Sequence, residues 1–323
     1  MNLLRLLSLA ALACASTGLE AQTVRVAKLG TLSTAALPTA EIIRHGAFTA
    51  RLRELGWEEG RNLTIERRYV ASTAVAQAAR ELAGMKLDVI FTMGAPSIRA
   101  AKEEITGTPV VIFTVGDPKL SGIVTNLARP GGNITGVAGF GRDLTGKRIG
   151  LLKETAPSMV RLAVIGNPAN KALAEMFRRD QERARELGIE ARLYEVPNPA
   201  ALEPAFAAMA RNRAQGLLYV PDPTLDSLLG KIFELAARHR IAAIYENPKA
   251  AENDGLMSYG PDYDAMFRSA AEYVDKILRG AKPGDLPIEL PTKFLMVVNL
   301  KVARELGITI PQGVLLRADK VIE

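Results

Sequence analysis

Side chains suited to catalysis are few and poorly placed in this sequence. The two histidines are His45, inside a helical segment, and His239, in Ala237-Arg238-His239-Arg240 near a helix end, where the negative pole of the helix favours a cationic ring. They do not stand at metal-ligand spacing, and GxSxG, P-loop and HExxH motifs are absent. Gly30-Thr31-Leu32-Ser33 follows the first apolar run without the GxGxxG pattern of a dinucleotide site. An enzyme would have to be built from scattered Asp, Ser and Thr, so the expectation is a binding protein with no catalytic residues, no metal and no cofactor.

Binding chemistry has better material. In parallel α/β sheets, ligands collect outside the carboxyl ends of the strands, where turns and helix N-termini converge. Gly94-Ala95-Pro96-Ser97 reads as such a turn: Pro96 suits the first turn of a helix, and free amides there favour a carboxylate or phosphate. Asp222-Pro223-Thr224 has the same form, with Asp222 as N-cap. Asp117, in Val115-Gly116-Asp117-Pro118, either caps the amides after Pro118 or pairs with a cationic group on a ligand such as an α-ammonium. Capping alone explains any one of these turns; their recurrence at matched positions argues for a shared site.

The elements that must hold those turns follow from the hydropathy pattern. Short apolar runs alternate with longer amphipathic segments, the signature of βαβ units and parallel sheets. Strands are predicted over 24–29, 63–69, 87–92, 109–115 and 134–137, and again over 161–165, 189–196, 216–220, 241–245 and 256–259. A helix over 171–187 puts Leu173, Phe177, Ala184 and Leu187 on one core-facing stripe, and another, from 262 to about 278, aligns Phe267, Ala271, Val274 and Leu278. A last strand and helix are predicted over 294–298 and 300–306.

One architecture therefore appears twice, divided near the Gly-rich stretch 131–141. Matching by strand order pairs Phe91-Thr92-Met93-Gly94-Ala95-Pro96 with Leu218-Tyr219-Val220-Pro221-Asp222-Pro223, and Thr114-Val115-Gly116-Asp117-Pro118 with Ile244-Tyr245-Glu246-Asn247-Pro248. A closer six-letter match, Val115–Leu120 against Val220–Leu225, would set a fourth strand against a third, and strand order is preferred to it. Aromatic residues are only 5%, and the single Trp57 falls in a loop at the far end of the sheet, where packing is its expected role; this argues against a sugar site built on Trp stacking.

With 323 residues the chain is longer than one core usually serves, and 48% hydrophobic against 24% charged residues is enough apolar material for two. The opening MNLLRLLSLAALACASTGLEA has a positive residue, an apolar run too short for a bilayer and small residues after it, which predicts a signal peptide over 1–21 and export. Cys14 is the only cysteine, so no intramolecular disulfide is possible. It is either discarded by cleavage after Ala15 or Ala21, or is the lipidation site of an imperfect lipoprotein box. The net charge of +6 comes from 41 Lys and Arg against 35 Asp and Glu, scattered along helix faces rather than in a tract, so nucleic acid is not an expected partner.

Several stretches together resemble the bacterial ABC-transporter substrate-binding proteins of the tryptophan/tyrosine type, which have the type I periplasmic-binding-protein fold. They include ELGWEEGRNLTIERRY (54–69), TVGDPKLSGIVTNLARPGGNITGV (114–137), GKRIGLLKETAP (146–157), AVIGNPAN (163–170), GLMSYGPDYDAMFRSAAEYVDKILRGAKPGDLP (255–287), PTKF (291–294) and VVNLKVARELGITIP (297–311). The resemblance implies an α/β protein of two Rossmann-like lobes, each a parallel sheet flanked by helices, joined by a hinge and closing on a small solute for an inner-membrane ABC permease. Lobe 1 would comprise 22–140 and 255–290, and lobe 2 would comprise 141–254 and 291–323. A periplasmic location and a monomer are expected.

Carried onto this sequence, the cleft positions implied are Thr31, Leu32 and Ser33; Gly94, Ala95, Pro96 and Ser97; Gly116, Asp117 and Pro118; and, from the second lobe, Asn167, Asp222, Thr224, Tyr245 and Asn247. An amino acid or other small carboxylate is the expected solute, although Thr31 to Ala36 is small and uncharged, a departure at the first turn. The alternative is a ligand-sensing module for a receptor or regulator. A regulator would need an N-terminal helix-turn-helix where 1–23 reads as a leader, and a receptor would need an attached membrane or kinase segment.

Overall fold

The structure, a computed structural model, describes residues 26–34, 46–114, 118–119, 122–139, 144–170 and 173–323. The predicted leader with Cys14, and His45, lie outside them.

Among the described residues, the strands form two sheets. The first contains β1 (Ala27–Ser33), β2 (Leu63–Tyr69), β3 (Val89–Met93), β4 (Val110–Thr114) and β5 (Ile134–Ala138), all parallel, in the order β2-β1-β3-β4-β5. The second contains β6 (Arg161–Gly166), β7 (Glu190–Glu195), β8 (Gly216–Tyr219), β9 (Ala242–Tyr245), β10 (Met257–Pro261), β11 (Phe294–Asn299) and β12 (Lys320–Ile322), in the order β12-β11-β10-β9-β8-β6-β7. There, β11 runs antiparallel to β10, while the other pairs are parallel. The run β7-β6-β8-β9-β10 repeats the order of the first sheet. Strand β3 therefore corresponds to β8 and β4 to β9, the pairing by strand order rather than the closer six-letter match.

Helices cover both faces of each sheet. On the first lie α1 (Ala47–Glu54), α2 (Val75–Ala83) and α3 (Ala95–Glu104); the second carries α4 (Thr145–Thr155), α5 (Leu173–Glu186), α6 (Leu202–Arg211), α7 (Pro223–Asp226), α8 (Leu229–Arg238) and α9 (Pro248–Asn253). After β10 the chain returns to the first sheet as α10 (Tyr263–Leu278), then goes back for β11, α11 (Leu300–Leu306) and α12 (Gln312–Leu315). Asp262 caps α10, its carboxylate accepting from the Ala265 amide at 3.0 Å. The buried face of α10, with Met266, Phe267, Ala270, Ala271 and Val274, packs into the core of Leu29, Phe91, Val111 and Phe113, and Phe267 stacks on Phe113 at 4.2 Å. Because β10 pairs with β9 through Met257↔Ile244 and Ser258↔Tyr245, the return to the first sheet begins at α10 and not at residue 255.

Three chain passages thus link the sheets, after β5, between β10 and α10, and before β11. The second and third are tied together: the Asp262 amide donates to the Lys293 carbonyl at 3.1 Å, and the two side chains pair at 3.1 Å.

Two local expectations shift. Strand β1 extends through Thr31, Leu32 and Ser33, which pair with Arg67, Arg68 and Tyr69 on one side and Phe91, Thr92 and Met93 on the other, so polarity did not end the strand. On α5, Leu187 is 40% exposed, just past the helix end, while Asp180 joins Leu173 and Ala184 on the buried side. Trp57 packs at the end of α10, donating from its indole to Asp275 at 2.8 Å, the structural role expected of it.

Candidate functional site

The first lobe contributes a helix start with unpaired hydroxyls. Gly94 ends β3 and N-caps α3 with φ 85°, a backbone that side chains with a Cβ adopt only under strain. The chain can therefore turn at once from strand to helix. Pro96 lacks an N–H, and the Ala95 and Ser97 amides precede the first helical bond, which runs from Ile98 to the Gly94 carbonyl at 3.0 Å. Ser97 is fully buried on this first turn, and neither its Oγ nor Thr92 Oγ1 has a hydrogen-bond partner among the described residues. Buried hydroxyls are normally bonded, and leaving one unmet costs about 1–3 kcal/mol.

The remaining first-lobe candidates are more occupied. Thr31 Oγ1 donates to the Tyr69 hydroxyl at 3.2 Å, and Leu32 is in the core with Ile90 and Ile98. Pro118 is buried, and its carbonyl accepts from Ile123 at 2.8 Å and Val124 at 3.2 Å, holding the turn after β4. Gly116 and Asp117 lie outside the described residues.

In the second lobe three candidates form one cluster. Asn167, just after β6 and 5% exposed, donates from Nδ2 to Asp222 Oδ1 at 2.8 Å and to Thr224 Oγ1 at 3.3 Å. Its Oδ1 accepts from the Ala169 amide, and Asp222 Oδ1 also accepts from the Thr224 amide, both at 2.9 Å. The turns after β6 and β8 are thereby locked together.

Tyr245 and Asn247 have other surroundings. The Tyr245 ring points into the helix-side core, 5.2 Å from Phe233 and 5.7 Å from Tyr219, and burial pushes its hydroxyl ionisation up. Asn247 is exposed and caps α9, accepting from the Lys249 amide at 3.0 Å. The other histidine, His239, follows the end of α8 beside the Phe206 ring, at the helix-end position its sequence context suggested.

Residues that sequence patterns did not single out lie where the sheets meet. Tyr263, the first residue of α10, has its ring 6.3 Å from Phe113, near the carboxyl end of β4. Its hydroxyl donates to Glu246 Oε1 at 2.8 Å, immediately after β9. Glu246 Oε2 accepts from Nη2 of the buried Arg148 at 3.2 Å. The carboxyl ends of β4 and β9 are thus joined through one tyrosine, whose ionisation is pushed well up, first by burial and then by the Glu246 charge. Glu246 stands inside the Tyr245-Glu246-Asn247-Pro248 turn, but its partners are 98 positions before it and 17 after it.

The Tyr219 hydroxyl donates to Asp226, whose carboxyl turns inward although the residue as a whole is exposed. Burial of that carboxyl is the main cause raising its pKa from 3.8 to about 6, with Asp222 and Glu246 adding to it and the Tyr219 bond opposing. The folded form then binds the proton more tightly than the unfolded chain, so this group's contribution to stability falls as pH rises from about 4 to about 6 and stays flat above that. Asp226→Asn should remove that part of the pH dependence. Melting temperature measured from pH 4 to pH 7 on both proteins checks this; parallel curves would refute it.

Two shallow depressions lie at the opposite end of the second sheet, one of them lined by Arg161, Glu190, Arg192, Tyr194 and Asn212. Arg161 and Glu190 open their strands, an end where no helix N-termini converge, so the strand-end clusters are the stronger site.

The sequence matches the family described as ABC transporter substrate binding protein over residues 34–322. The chain belongs to that family. A tyrosine-binding protein of Clostridioides difficile (strain R20291) is 22% identical over 255 residues, covering 78% of this chain and 73% of that protein. Among solved structures, a conserved domain protein from Vibrio cholerae aligns with TM-score 0.82 and 25% identity over 92% of this chain and all of that one. An ABC domain in complex with L-Trp from Streptococcus pneumonia aligns with TM-score 0.81 and 22% identity, over 92% and 99%. The resemblance drawn from the motifs and the two-lobed α/β fold therefore hold. ABC substrate-binding proteins are solute binders and not enzymes, and membership implies a small-molecule ligand, a membrane permease and a place outside the cytoplasm. Among the described residues no helix is long and apolar enough to cross a membrane.

Proposed function

We propose that this ABC substrate-binding protein is the extracytoplasmic solute receptor of an import system and captures a small carboxylate, an amino acid in the first place, by closing its lobes over it. The observation that carries this reading is the start of α3, where two buried hydroxyls, Thr92 and Ser97, lack partners beside free helix amides. Amides and the helix dipole favour a carboxylate there. The second lobe supports an amino acid over a simple acid, because Asp222 and Asp226 make its strand-end edge acidic and suited to an α-ammonium. Relatives that bind tyrosine and L-Trp point the same way.

In this reading Thr31, Ser33, Gly94 to Ser97 and Gly116 to Pro118 wall the cleft on one side, and Asn167, Asp222 and Thr224 wall it on the other. The three passages between the sheets act as the hinge, and the solute selects the closed form by binding it better. Residues 1–21 direct export, Cys14 is the anchoring position if it is retained, and the receptor works as a monomer.

A thermal-shift screen of the purified protein against amino acids, nucleosides, sugars and small carboxylates tests the reading. A true solute at a hundredfold excess over its Kd adds roughly 2.7 kcal/mol of apparent stability. Stabilisation by a sugar or nucleoside, with no response to any carboxylate, would overturn the solute class. Asp117→Ala should weaken binding of the stabilising compound more than it lowers the melting temperature; unchanged binding with a large stability loss would return Asp117 to capping.

A further inference from the structure

We propose that Glu246 is a two-position bolt that sets the angle between the lobes where the carboxyl ends of β4 and β9 are joined. The proposal rests on the reading that the lobes move, and it concerns residues that no cleft assignment includes. In the present setting Glu246 divides its two oxygens. Oε1 crosses to the first lobe and accepts from Tyr263 at 2.8 Å, while Oε2 stays in the second and accepts from Arg148 Nη2 at 3.2 Å.

The second half of that pair is incomplete. Arg148 is 7% exposed, and its Nε is buried with no partner among the described residues. A guanidinium is built to grip a carboxylate through two parallel N–H bonds, and here only one is made to Glu246. The missing bond is the one Glu246 would complete by releasing Tyr263 and settling on Nε and Nη2 together. Each position thus satisfies what the other leaves open, which is how a buried ion pair can hold two arrangements of similar energy.

The location makes the choice a hinge setting. Tyr263 begins α10 directly after the passage from β10, and its ring is held by Phe113 in the first lobe. Glu246 is pinned in the second lobe by its own backbone, which lies so close to Gly260 on β10 that a Cβ there would stand 1.9 Å from the Glu246 carbonyl. Rotation at 261–262 therefore carries the Tyr263 hydroxyl toward or away from a fixed carboxylate. The neighbouring pair Lys249 to Asp264, 3.0 Å apart but exposed, crosses the same passage and is screened by water.

The test uses the solute-free full chain with Cys14→Ser and spin labels on Arg99→Cys and Ala169→Cys, exposed positions beyond the strand ends of the two lobes. Interlobe distance distributions from double electron–electron resonance are compared for this background, Tyr263→Phe and Arg148→Lys. Tyr263→Phe keeps the ring and loses the first position, so its distribution should shift and broaden. Arg148→Lys keeps a charge but lacks the fork, so it should lose the second position and give a distribution no broader than the background. Tyr273→Phe is the control, since its hydroxyl bonds the Pro287 carbonyl at 2.5 Å within the first lobe and should change nothing. Melting curves on each variant confirm folding. A Tyr263→Phe distribution identical to that of Tyr273→Phe, or the same shift from Arg148→Lys as from Tyr263→Phe, would overturn the proposal. Because no solute is added, the outcome does not depend on whether the solute class is correct.

Discussion

Gly260→Ala is expected to destabilise the second lobe by about 3 kcal/mol, the upper range for forcing atoms into a packed site. Gly260 lies on β10, and a Cβ built on it would fall 1.9 Å from the Glu246 carbonyl oxygen and 2.9 Å from its carbon. Those are backbone atoms, so no side-chain rotation relieves the clash; β9 and β10 must separate or the Glu246 turn must move. Either response displaces the carboxylate that Tyr263 and Arg148 share, so weakened solute binding should accompany the lost stability. Gly150→Ala is the contrasting substitution. Gly150 lies inside α4 with nothing within 4 Å of the place a methyl group would occupy, and alanine there should stabilise by about 0.5–1 kcal/mol. Urea midpoints measured on both variants check the pair, and a Gly260→Ala midpoint equal to the parent's would contradict the packing seen between β9 and β10.

Asn167→Ala should cost about 2 kcal/mol or more, because it removes three hydrogen bonds from a side chain that is 5% exposed. The Ala169 amide and the Thr224 hydroxyl lose an Asn167 partner, and Asp222 keeps only the Thr224 amide on its Oδ1 among the described residues. The turns after β6 and β8 are then no longer tied to one another. If solute rests on those turns, affinity should fall about tenfold with the loss of one good polar contact of roughly 1.4 kcal/mol. Calorimetric titration and thermal melts on the same preparation separate the two effects. A stability loss with unchanged affinity would make the cluster purely a brace.

Much of the fold was legible because hydrophobic burial writes itself locally. Apolar runs such as Val110-Val111-Ile112-Phe113 and the amphipathic stripe of α10 need no distant information, and the order of such runs carried the duplication of the two sheets. The edges of elements were less legible. Thr31 and Ser33 read as a turn by polarity, yet a parallel strand between two others accepts hydroxyls whose backbone is fully paired, and β1 runs on through them. The strand-end rule picked out Asn167, Asp222 and Thr224, which the fold does bring together, but it does not say which way a side chain turns. Tyr245 alternates into the helix-side core, and Asn247 is spent on its own helix.

What sequence could not supply was the join between the lobes. Arg148 stands within GKRIG, Glu246 within Tyr245-Glu246-Asn247-Pro248 and Tyr263 at the start of the helix from 262, and none of the three carries a sequence signal of its own. Their meaning is in three-body geometry between separate elements, and neither periodicity nor capping chemistry encodes that. Paired charges on the helix surface, by contrast, were readable and matter little: Arg178 with Glu175 and Glu182 is a solvated pair network of the kind that contributes little stability.

The most direct measurement is the dissociation constant of the solute that stabilises the protein, taken by isothermal titration on the parent, on Ser97→Ala and on Asp222→Asn. Ser97 belongs to the start of α3 in the first lobe and Asp222 to the turn after β8 in the second. A solute enclosed between the lobes must lose affinity in both variants while each remains folded by its melting curve. An unchanged constant in either one would place the solute on a single lobe and contradict capture in the cleft.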